Sequence, residues 1–225
     1  SIAFAAIEIF NKKTNTKQSL TISQISKIKG KDKKQIINDL SQITKKRDSI
    51  LNLNLSKSVL MGVLNVTPDS FSDGGKFYKA KQAVQHAKTM LQQGAHIIDV
   101  GGESTRPGAK LISEEEECRR VIQVIKKIKK IRNNIVSIDT RKSIVMKAAV
   151  VAGAKIINDV SALDFDPHAE EVVAKLKKPI ILNHSQGTPE TMQKNPNYKN
   201  ILIEIYDYFE EKIKQLEQKG LRRKH

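Results

Sequence analysis

Residue types that commonly build binding sites and cross-links are scarce in this chain. It contains no tryptophan and only ten phenylalanine and tyrosine residues among 225, which leaves little material for stacking nucleic-acid bases. Its single cysteine, Cys118, lies in the charged segment EEEECRRV, so an intramolecular disulfide is excluded and a small helix residue is favoured over a catalytic thiol. No apolar run approaches the ~20 residues that cross a bilayer, and no signal-peptide pattern is present. We therefore expect a cytoplasmic protein without a membrane partner.

Positive charge is plentiful but unevenly spread, with a formal net charge of +16. Residues 1–58 hold twelve Lys and Arg against four Asp and Glu, and the remaining residues hold 28 against 20. The density of positive charge is therefore highest outside the region that carries the motifs described below. We interpret it as a solvated basic surface, without a nucleic-acid partner, that helps to attract anionic substrates. A salt-sensitive RNA-binding module, without catalytic activity, is the alternative.

The beginning of the chain differs in composition from the rest, and we expect residues 1–58 to form a basic N-terminal extension or linker. The opening SIAFAAIEIF predicts a short strand or helix, and NKKTNTKQS predicts a polar linker. Isoleucines at roughly helical spacing in residues 21–43, interrupted by Gly30, favour one or two short helices or a poorly ordered connector.

Residues 59–225 alternate short apolar runs with segments of helical periodicity. Strands are predicted at 59–66, 96–100, 135–139, 155–159 and 179–184. Helices are predicted at about 79–93, from Ser113, and at 142–152, 167–177 and 200–219; Ser113 and Glu116 fit a capping box. Strands separated by helices form right-handed βαβ units and a parallel sheet. We expect an α/β fold, a (β/α)8 TIM barrel of which about five βα units are present.

A polar side chain stands at or beside the carboxyl end of every predicted strand: Asn65, Asp99, Asp139, Asn158 and His184. In a barrel the carboxyl ends of the strands meet at one mouth, where active sites lie. A single Asp or Asn in such a place is usually a turn former or a helix cap. Five in succession favour a binding site over five separate caps.

Two long segments of the chain resemble a known enzyme family. The segment LMGVLNVTPDSFSDGG begins at Leu60, and GAHIIDVGGESTRPGA ends at Ala109. Both closely resemble signature segments of dihydropteroate synthases, in the family's order and spacing. The resemblance implies a pterin-binding TIM barrel that joins p-aminobenzoate to 6-hydroxymethyl-7,8-dihydropterin pyrophosphate. This reaction of folate biosynthesis is a Mg²⁺-dependent transfer of a pterinylmethyl group, and it gives 7,8-dihydropteroate and pyrophosphate.

The resemblance also assigns roles to the residues at the strand ends. Asp99, Asp139 and Asn158 match residues that line the pterin pocket, and the catalytic candidates are Asp99, Asp139 and Asn65. Asn65 matches the position associated with Mg²⁺ and the pyrophosphate. The chemistry suits a pterin, because a carboxylate accepts from its N–H donors and an amide both donates and accepts.

The remaining substrate-binding candidates are Phe71, Ser104, Thr105, Arg106, Pro107 and His184. By the resemblance, Phe71 and Pro107 help to form the wall of the p-aminobenzoate pocket, where sulfonamides also bind, with Thr105 and Arg106 nearby. Without the resemblance, Phe71 is an ordinary loop anchor and Arg106 a residue of a surface salt bridge.

The resemblance covers about the first five-eighths of the family's domain. A complete barrel has eight strands and roughly 250 residues, and five strands cannot close one. A further pterin-binding Asp, a Lys and the main phosphate-binding basic residues of the family have no counterpart in the sequence. We expect residues 59–225 to be the N-terminal part of a barrel domain and the chain to be a piece of a longer polypeptide. A naturally truncated, non-catalytic homologue is the alternative.

Family resemblance also suggests partners for the protein. It implies a homodimer of the full-length protein and, in some organisms, fusion behind a hydroxymethyldihydropterin pyrophosphokinase. Residues 1–58 are compatible with the tail of such a module but carry none of its motifs. The alternative with the same fold is a pterin-dependent methyltransferase that binds methyltetrahydrofolate. That family lacks the STRPGA segment, so residues 104–109 argue against it.

Overall fold

Two units with different secondary structure make up the chain. The computed structural model describes residues 4–30, 33–67, 76–104, 111–131, 134–187 and 195–223, without the side chains of 76–79. One unit is Ser1–Lys57 with Asn200–Ile203, and the other is Ser58–Lys199 with Glu204–His225. No helix within the described ranges is long and apolar enough to cross a membrane.

The first unit begins with an antiparallel hairpin of strands β1 (Ala6–Asn11) and β2 (Thr16–Thr21). The Asn11 side chain accepts hydrogen bonds from the two backbone amides at 13 and 14, and Asn15 has a φ of 51°, as tight turns require. The prediction of a polar linker is therefore wrong, because these residues turn the chain and return it as a second strand. The helices that follow are α1 (Ile22–Ile25) and α2 (Lys33–Thr44). Of the alternatives for residues 21–43, two short helices are what the structure shows, whereas the role of residues 1–58 stays a prediction.

The second unit is built on a five-stranded parallel sheet with the order β3-β4-β5-β6-β7. The strands are β3 (Met61–Asn65), β4 (Ile97–Gly101), β5 (Ile135–Asp139), β6 (Ile156–Asp159) and β7 (Ile180–Leu182). The helices are α3 (Lys76–Gln92), α4 (Glu114–Ile128), α5 (Ser143–Ala152), α6 (Ala169–Leu176) and α7 (Ile201–Gln218). The predicted α/β fold with five parallel strands is confirmed, and the predicted boundaries differ from the observed ones by at most three residues.

The two faces of this sheet have different surroundings. Alternate strand residues such as Leu64, Ile98, Ile138 and Ile157 are fully buried and form one core with apolar residues of the helices. The residues between them point to the opposite face. On that face Val63 is 57% exposed. Helices therefore cover one side of the sheet, and the other side is open at β3.

Helix α4 begins at a cap that the sequence predicts in part. The Ser113 hydroxyl accepts a hydrogen bond from the amide of Glu116 at 3.2 Å, which is one half of a capping box. The other half is not formed, because the Glu116 carboxylate accepts from Arg119 at 2.6 Å and from Arg120 at 2.8 Å. Arg120 also donates to the carbonyl of Gly102 at 2.9 Å. These bonds tie α4 to the loop that follows β4.

A buried network of four charged side chains holds the loops after β4 and β5. Glu103 accepts from Arg141 at 2.7 Å and from Lys142 at 2.8 Å, and Lys142 also donates to Glu117 of α4 at 2.7 Å. The Arg141 guanidinium lies 4.1 Å from the centre of the Phe165 ring. Burial alone raises the pKa of Glu103, but the hydrogen bonds from Lys142 and Arg141 outweigh it and hold that pKa below its ordinary value. Three ion pairs of this network therefore connect the two loops with α4.

We expect Lys142→Met to lower the free energy of unfolding by about 3–5 kcal/mol, because it leaves two buried carboxylates without their shared cation. Lys175→Met is the matched control. Lys175 pairs with Glu171 at 2.6 Å, but both side chains are exposed, and such pairs contribute about 1 kcal/mol or less. Urea unfolding followed by circular dichroism measures both losses. Equal losses in the two variants would contradict the stabilising role of the buried network.

Candidate active site

Polar side chains from four strands meet at the carboxyl edge of the sheet, on the face opposite the helices. In the parallel register, Asn65 lies beside Gly101, Gly101 beside Asp139, and Asp139 beside Asn158. Asp99 lies two residues before Gly101 and therefore points to the same face. The structure thus brings together four of the ten candidates that the sequence suggests: Asn65, Asp99, Asp139 and Asn158.

A row of hydrogen bonds joins three strand ends across this face. The side-chain amide of Asn183 donates to Asn158 Oδ1 at 3.0 Å, and the side-chain amide of Asn158 donates to Asp99 Oδ2 at 2.9 Å. Asp99 is 2% exposed. Within the described part of the chain its Oδ1 has no partner in hydrogen-bonding geometry, although the Ser137 hydroxyl lies nearby. A buried carboxylate oxygen gains from a hydrogen-bond donor, and the Ser137 hydroxyl, a water or a ligand can supply it.

Gly101 separates the side chains of Asn65 and Asp139. A methyl group in place of its hydrogen would lie 3.4 Å from Asn65 Oδ1 and 3.5 Å from Asp139 Oδ2. The Asn65 side chain is exposed, whereas Asp139 is half-buried. One amide oxygen and one carboxylate oxygen therefore flank the same backbone position at the edge of the sheet.

Burial governs the ionisation of the carboxylates at this edge. It raises the pKa of Asp139 to about 7, an effect strengthened by the negative charges of Asp99 and Asp159 and opposed by Arg141. It also raises the pKa of Asp99, against the hydrogen bond from Asn158 and the nearby Ser137 hydroxyl, which lower it. A buried carboxylate gains from N–H donors and from nearby positive charge. The site therefore suits a ligand that carries several N–H groups or that develops positive charge during a reaction.

The residue just after β7, Asn183, joins this group, and His184 does not. The His184 ring lies 4.6 Å from the ring of Tyr208 of α7. A role of His184 in substrate binding stays a prediction, since the structure does not bring it to Asp99. The sequence feature that could have identified Asn183 is the alternation of side chains. Ile181 pairs with Asn158 in the sheet, and Asn183 lies two residues further along the chain.

Four candidates fall outside the described residues: Phe71, Thr105, Arg106 and Pro107. Ser104 is half-buried in the loop after β4, next to Glu103. Glu103 Oε1 also accepts from the backbone amide of Ile112 at 3.1 Å. The Glu103 carboxylate therefore connects the described residues on the two sides of positions 105–110.

Sequence reasoning missed Glu103, Arg141 and Lys142 as positioning residues. The sequence feature that could have identified them is their position, because each follows closely after a polar residue at the end of a strand.

The described residues contain no group of three or more His, Cys, Asp or Glu side chains that could hold a metal ion. Mg²⁺ has different needs, because it usually keeps several waters and binds substrate phosphates with only one or two protein oxygens. Asn65 Oδ1, on an exposed side chain at the edge of the site, meets that need. The donors among the described residues are thus compatible with Mg²⁺.

The Asp139 carboxylate leads to a prediction about stability and pH. Its pKa of about 7 in the folded protein lies above the value of about 3.9 in an unfolded chain. The resulting stabilisation is complete below about pH 4 and is lost as the pH rises towards 7. We expect Asp139→Asn to remove this loss, so that at pH 8 the variant is more stable than the parent by roughly 1–4 kcal/mol.

Urea unfolding of the parent and Asp139→Asn at pH 5 and pH 8 measures the effect. The difference in free energy of unfolding between the two proteins should change in favour of the variant at the higher pH. A difference that stays constant between these two pH values would contradict the raised pKa of Asp139.

Comparison with known proteins gives the family of the chain. Residues 61–225 match the sequence model of the family described as pterin binding enzyme. The chain is 48% identical over 170 residues to the dihydropteroate synthase of Escherichia coli strain K12, an alignment that covers 76% of this chain and 60% of that relative. The chain therefore spans about three-fifths of the length of this synthase.

Solved structures agree with this result. The fold is similar to Xanthomonas albilineans dihydropteroate synthase with 4-aminobenzoic acid, with a TM-score of 0.69 and 42% identity over 76% of this chain and 60% of the other. It is also similar to Yersinia pestis dihydropteroate synthase in a sulfonamide drug complex, with a TM-score of 0.71 and 43% identity over 77% of this chain and 64% of the other. The five-stranded parallel sheet thus corresponds to part of the fold of these synthases. Since the family model covers most of the chain, including every strand of that sheet, the chain belongs to the pterin binding enzymes.

Proposed function

We propose that the protein is a dihydropteroate synthase, a transferase that condenses 6-hydroxymethyl-7,8-dihydropterin pyrophosphate with p-aminobenzoate to give 7,8-dihydropteroate and pyrophosphate. The observation that carries the proposal is the shared position of Asp99, Asp139 and Asn158 on one face and at one edge of the sheet. These are the residues that the resemblance assigns to the pterin. Similarity to synthases solved with 4-aminobenzoic acid and with a sulfonamide supports the second substrate.

Recognition of the pterin follows from the donors and acceptors of the site. The ring presents a planar edge with N–H donors beside accepting nitrogen and oxygen atoms. Asp99 and Asp139 accept hydrogen bonds when ionised, and the Asn158 amide both donates and accepts. A ring N–H would supply a donor to the buried Asp99 Oδ1, which has no hydrogen-bond partner among the described residues. An analogue without these N–H groups would leave buried carboxylates unpaired, which is a strong basis for selectivity.

The proposed reaction replaces one bond at the pterin methylene carbon. The amine nitrogen of p-aminobenzoate forms a bond to this carbon, the bond from the carbon to the pyrophosphate oxygen breaks, and pyrophosphate leaves with the electron pair. The attacking amine then loses a proton to water. Positive charge develops at the methylene group and the ring during this exchange, and the ionised carboxylates of Asp99 and Asp139 stabilise it.

Mg²⁺ is the cofactor in this proposal, and Asn65 is the residue that would hold it together with pyrophosphate oxygens and water. Bound there, Mg²⁺ supplies positive charge that stabilises the departing pyrophosphate. The Asn65 amide itself orients these oxygens at the edge of the site.

Several parts of the proposal rest on the family resemblance. They are a p-aminobenzoate pocket formed with Phe71, Ser104, Thr105, Arg106 and Pro107, a homodimer of the full-length protein, and an upstream pyrophosphokinase module. We also propose a cytoplasmic location, which is consistent with a chain that has a single, free cysteine.

The test uses the polypeptide expressed from its complete reading frame, with Mg²⁺ and both substrates. We expect release of pyrophosphate coupled one to one to formation of dihydropteroate. Asp99→Asn should lower kcat/KM by about 100-fold, the usual effect of removing one electrostatic contact to a transition state. Asp39→Asn is the matched control, because Asp39 lies on α2 of the first unit, outside the strand ends that form the site, and accepts from Gln35 at 2.7 Å.

Each rival function gives a different result in the same preparation. Absence of dihydropteroate formation with both substrates bound would contradict the proposal. Methyl transfer from methyltetrahydrofolate to a corrinoid would favour the methyltransferase instead. Salt-sensitive RNA binding by a protein that binds no pterin would favour the non-catalytic module.

A further inference from the structure

The side-chain NH₂ group of Asn183 makes two hydrogen bonds inside the protein. Its nitrogen donates to Asn158 Oδ1 at 3.0 Å and to the backbone carbonyl of Asp159 at 3.3 Å. The backbone amide of Asn183 donates to the same carbonyl at 3.3 Å. Asn183 is therefore held to the end of β6 by three hydrogen bonds, two of them from its side chain.

Acceptors at both ends of the row, the Asp159 carbonyl and the Asp99 carboxylate, determine its direction. A backbone carbonyl can only accept hydrogen bonds, so the Asp159 carbonyl requires the NH₂ end of the Asn183 side chain. The same NH₂ end meets Asn158, which must therefore turn its oxygen towards Asn183. The nitrogen of Asn158 is then directed to Asp99. No other orientation of the two amides satisfies all three contacts.

The direction of the row determines what the site offers to a ligand. If Asn158 were reversed, its oxygen would face a carboxylate oxygen of Asp99 in a buried place, which costs free energy instead of contributing a hydrogen bond. In the observed orientation one N–H and one lone pair of the Asn158 amide are uncommitted. They provide a donor and an acceptor at fixed positions beside the carboxylate of Asp139.

We infer that Asn183 is a positioning residue of the pterin site, which sets the orientation of the Asn158 amide and thereby the hydrogen-bond pattern that meets the pterin. This inference rests on the proposed function. Asn183 acts through Asn158 and not on the reacting atoms. It therefore governs the affinity for the pterin, whereas the affinity for p-aminobenzoate does not depend on it.

The test measures binding of 6-hydroxymethylpterin to the full-length protein and its variants by isothermal titration calorimetry. Asn183→Leu keeps a similar size but removes the donor, and Asn183→Asp replaces the donor by an oxygen that only accepts when ionised. We expect Kd to rise about tenfold in Asn183→Leu and further in Asn183→Asp. The KM for p-aminobenzoate should be the same in both variants and the parent.

Gln186→Leu is the matched control in the same loop. Gln186 donates to the carbonyl of Asn197 at 2.9 Å and accepts from its amide at 3.0 Å, so its replacement weakens the loop without touching the row. Pterin affinity should be unchanged in this variant. In the free parent protein, the side-chain NH₂ signals of Asn158 in ¹⁵N NMR should exchange slowly with water, and Asn183→Leu should accelerate that exchange.

The possible outcomes separate the inference from the proposed function. If the parent binds the pterin and Asn183→Leu binds it equally well, the inference is overturned and the proposed function stands. The same holds if Gln186→Leu loses as much affinity as Asn183→Leu, because the effect is then a general loosening of the loop. If the parent binds no pterin, the proposed function is overturned and the inference with it.

Discussion

Burial of one sheet face against helices is the constraint on which the rest of the structure depends. Leu64, Ile98 and Ile138 are fully buried on that face, and the alternation of side chains along a strand then assigns every intervening residue to the other face. A shift of one residue in β4 or β5 would turn Asp99 or Asp139 into the helix layer. Burial of the apolar side chains thus determines which face the polar side chains occupy, although the polar residues are not part of the apolar core.

The carboxylates of the second unit fall into two kinds, whose pKa values are shifted in opposite directions. In the buried network, Glu103 lies within 2.8 Å of both Arg141 and Lys142, and its pKa is lowered. At the open edge of the sheet, burial raises the pKa of both Asp99 and Asp139. Groups of the first kind stabilise the loops. Groups of the second kind gain from a ligand that donates hydrogen bonds or carries positive charge, and carboxylates with a raised pKa are frequent in functional sites.

The sequence allowed most of the barrel portion to be predicted, because apolar runs, helical periodicity and helix-ending glycines all mark the same boundaries. The polar strand ends were visible for the same reason. The second strand of the hairpin was not, because TKQSLT has little apolar alternation and its place depends on pairing with β1. The sequence suggested His184 where the structure has Asn183, because the choice between the two depends on strand register, which is a property of the folded sheet. Glu103 and Lys142 are buried against each other although they lie about 40 positions apart in the chain, and no local sequence pattern reveals this contact.

In the proposed site, side chains from separate strands meet around one planar heterocycle. A crystal structure of the full-length protein with bound 6-hydroxymethylpterin is the decisive test. We expect the ring at the carboxyl edge of the sheet, on the face opposite the helices, within hydrogen-bonding distance of Asp99, Asp139 and Asn158. A ring bound on another surface, without contact to these three side chains, would contradict it.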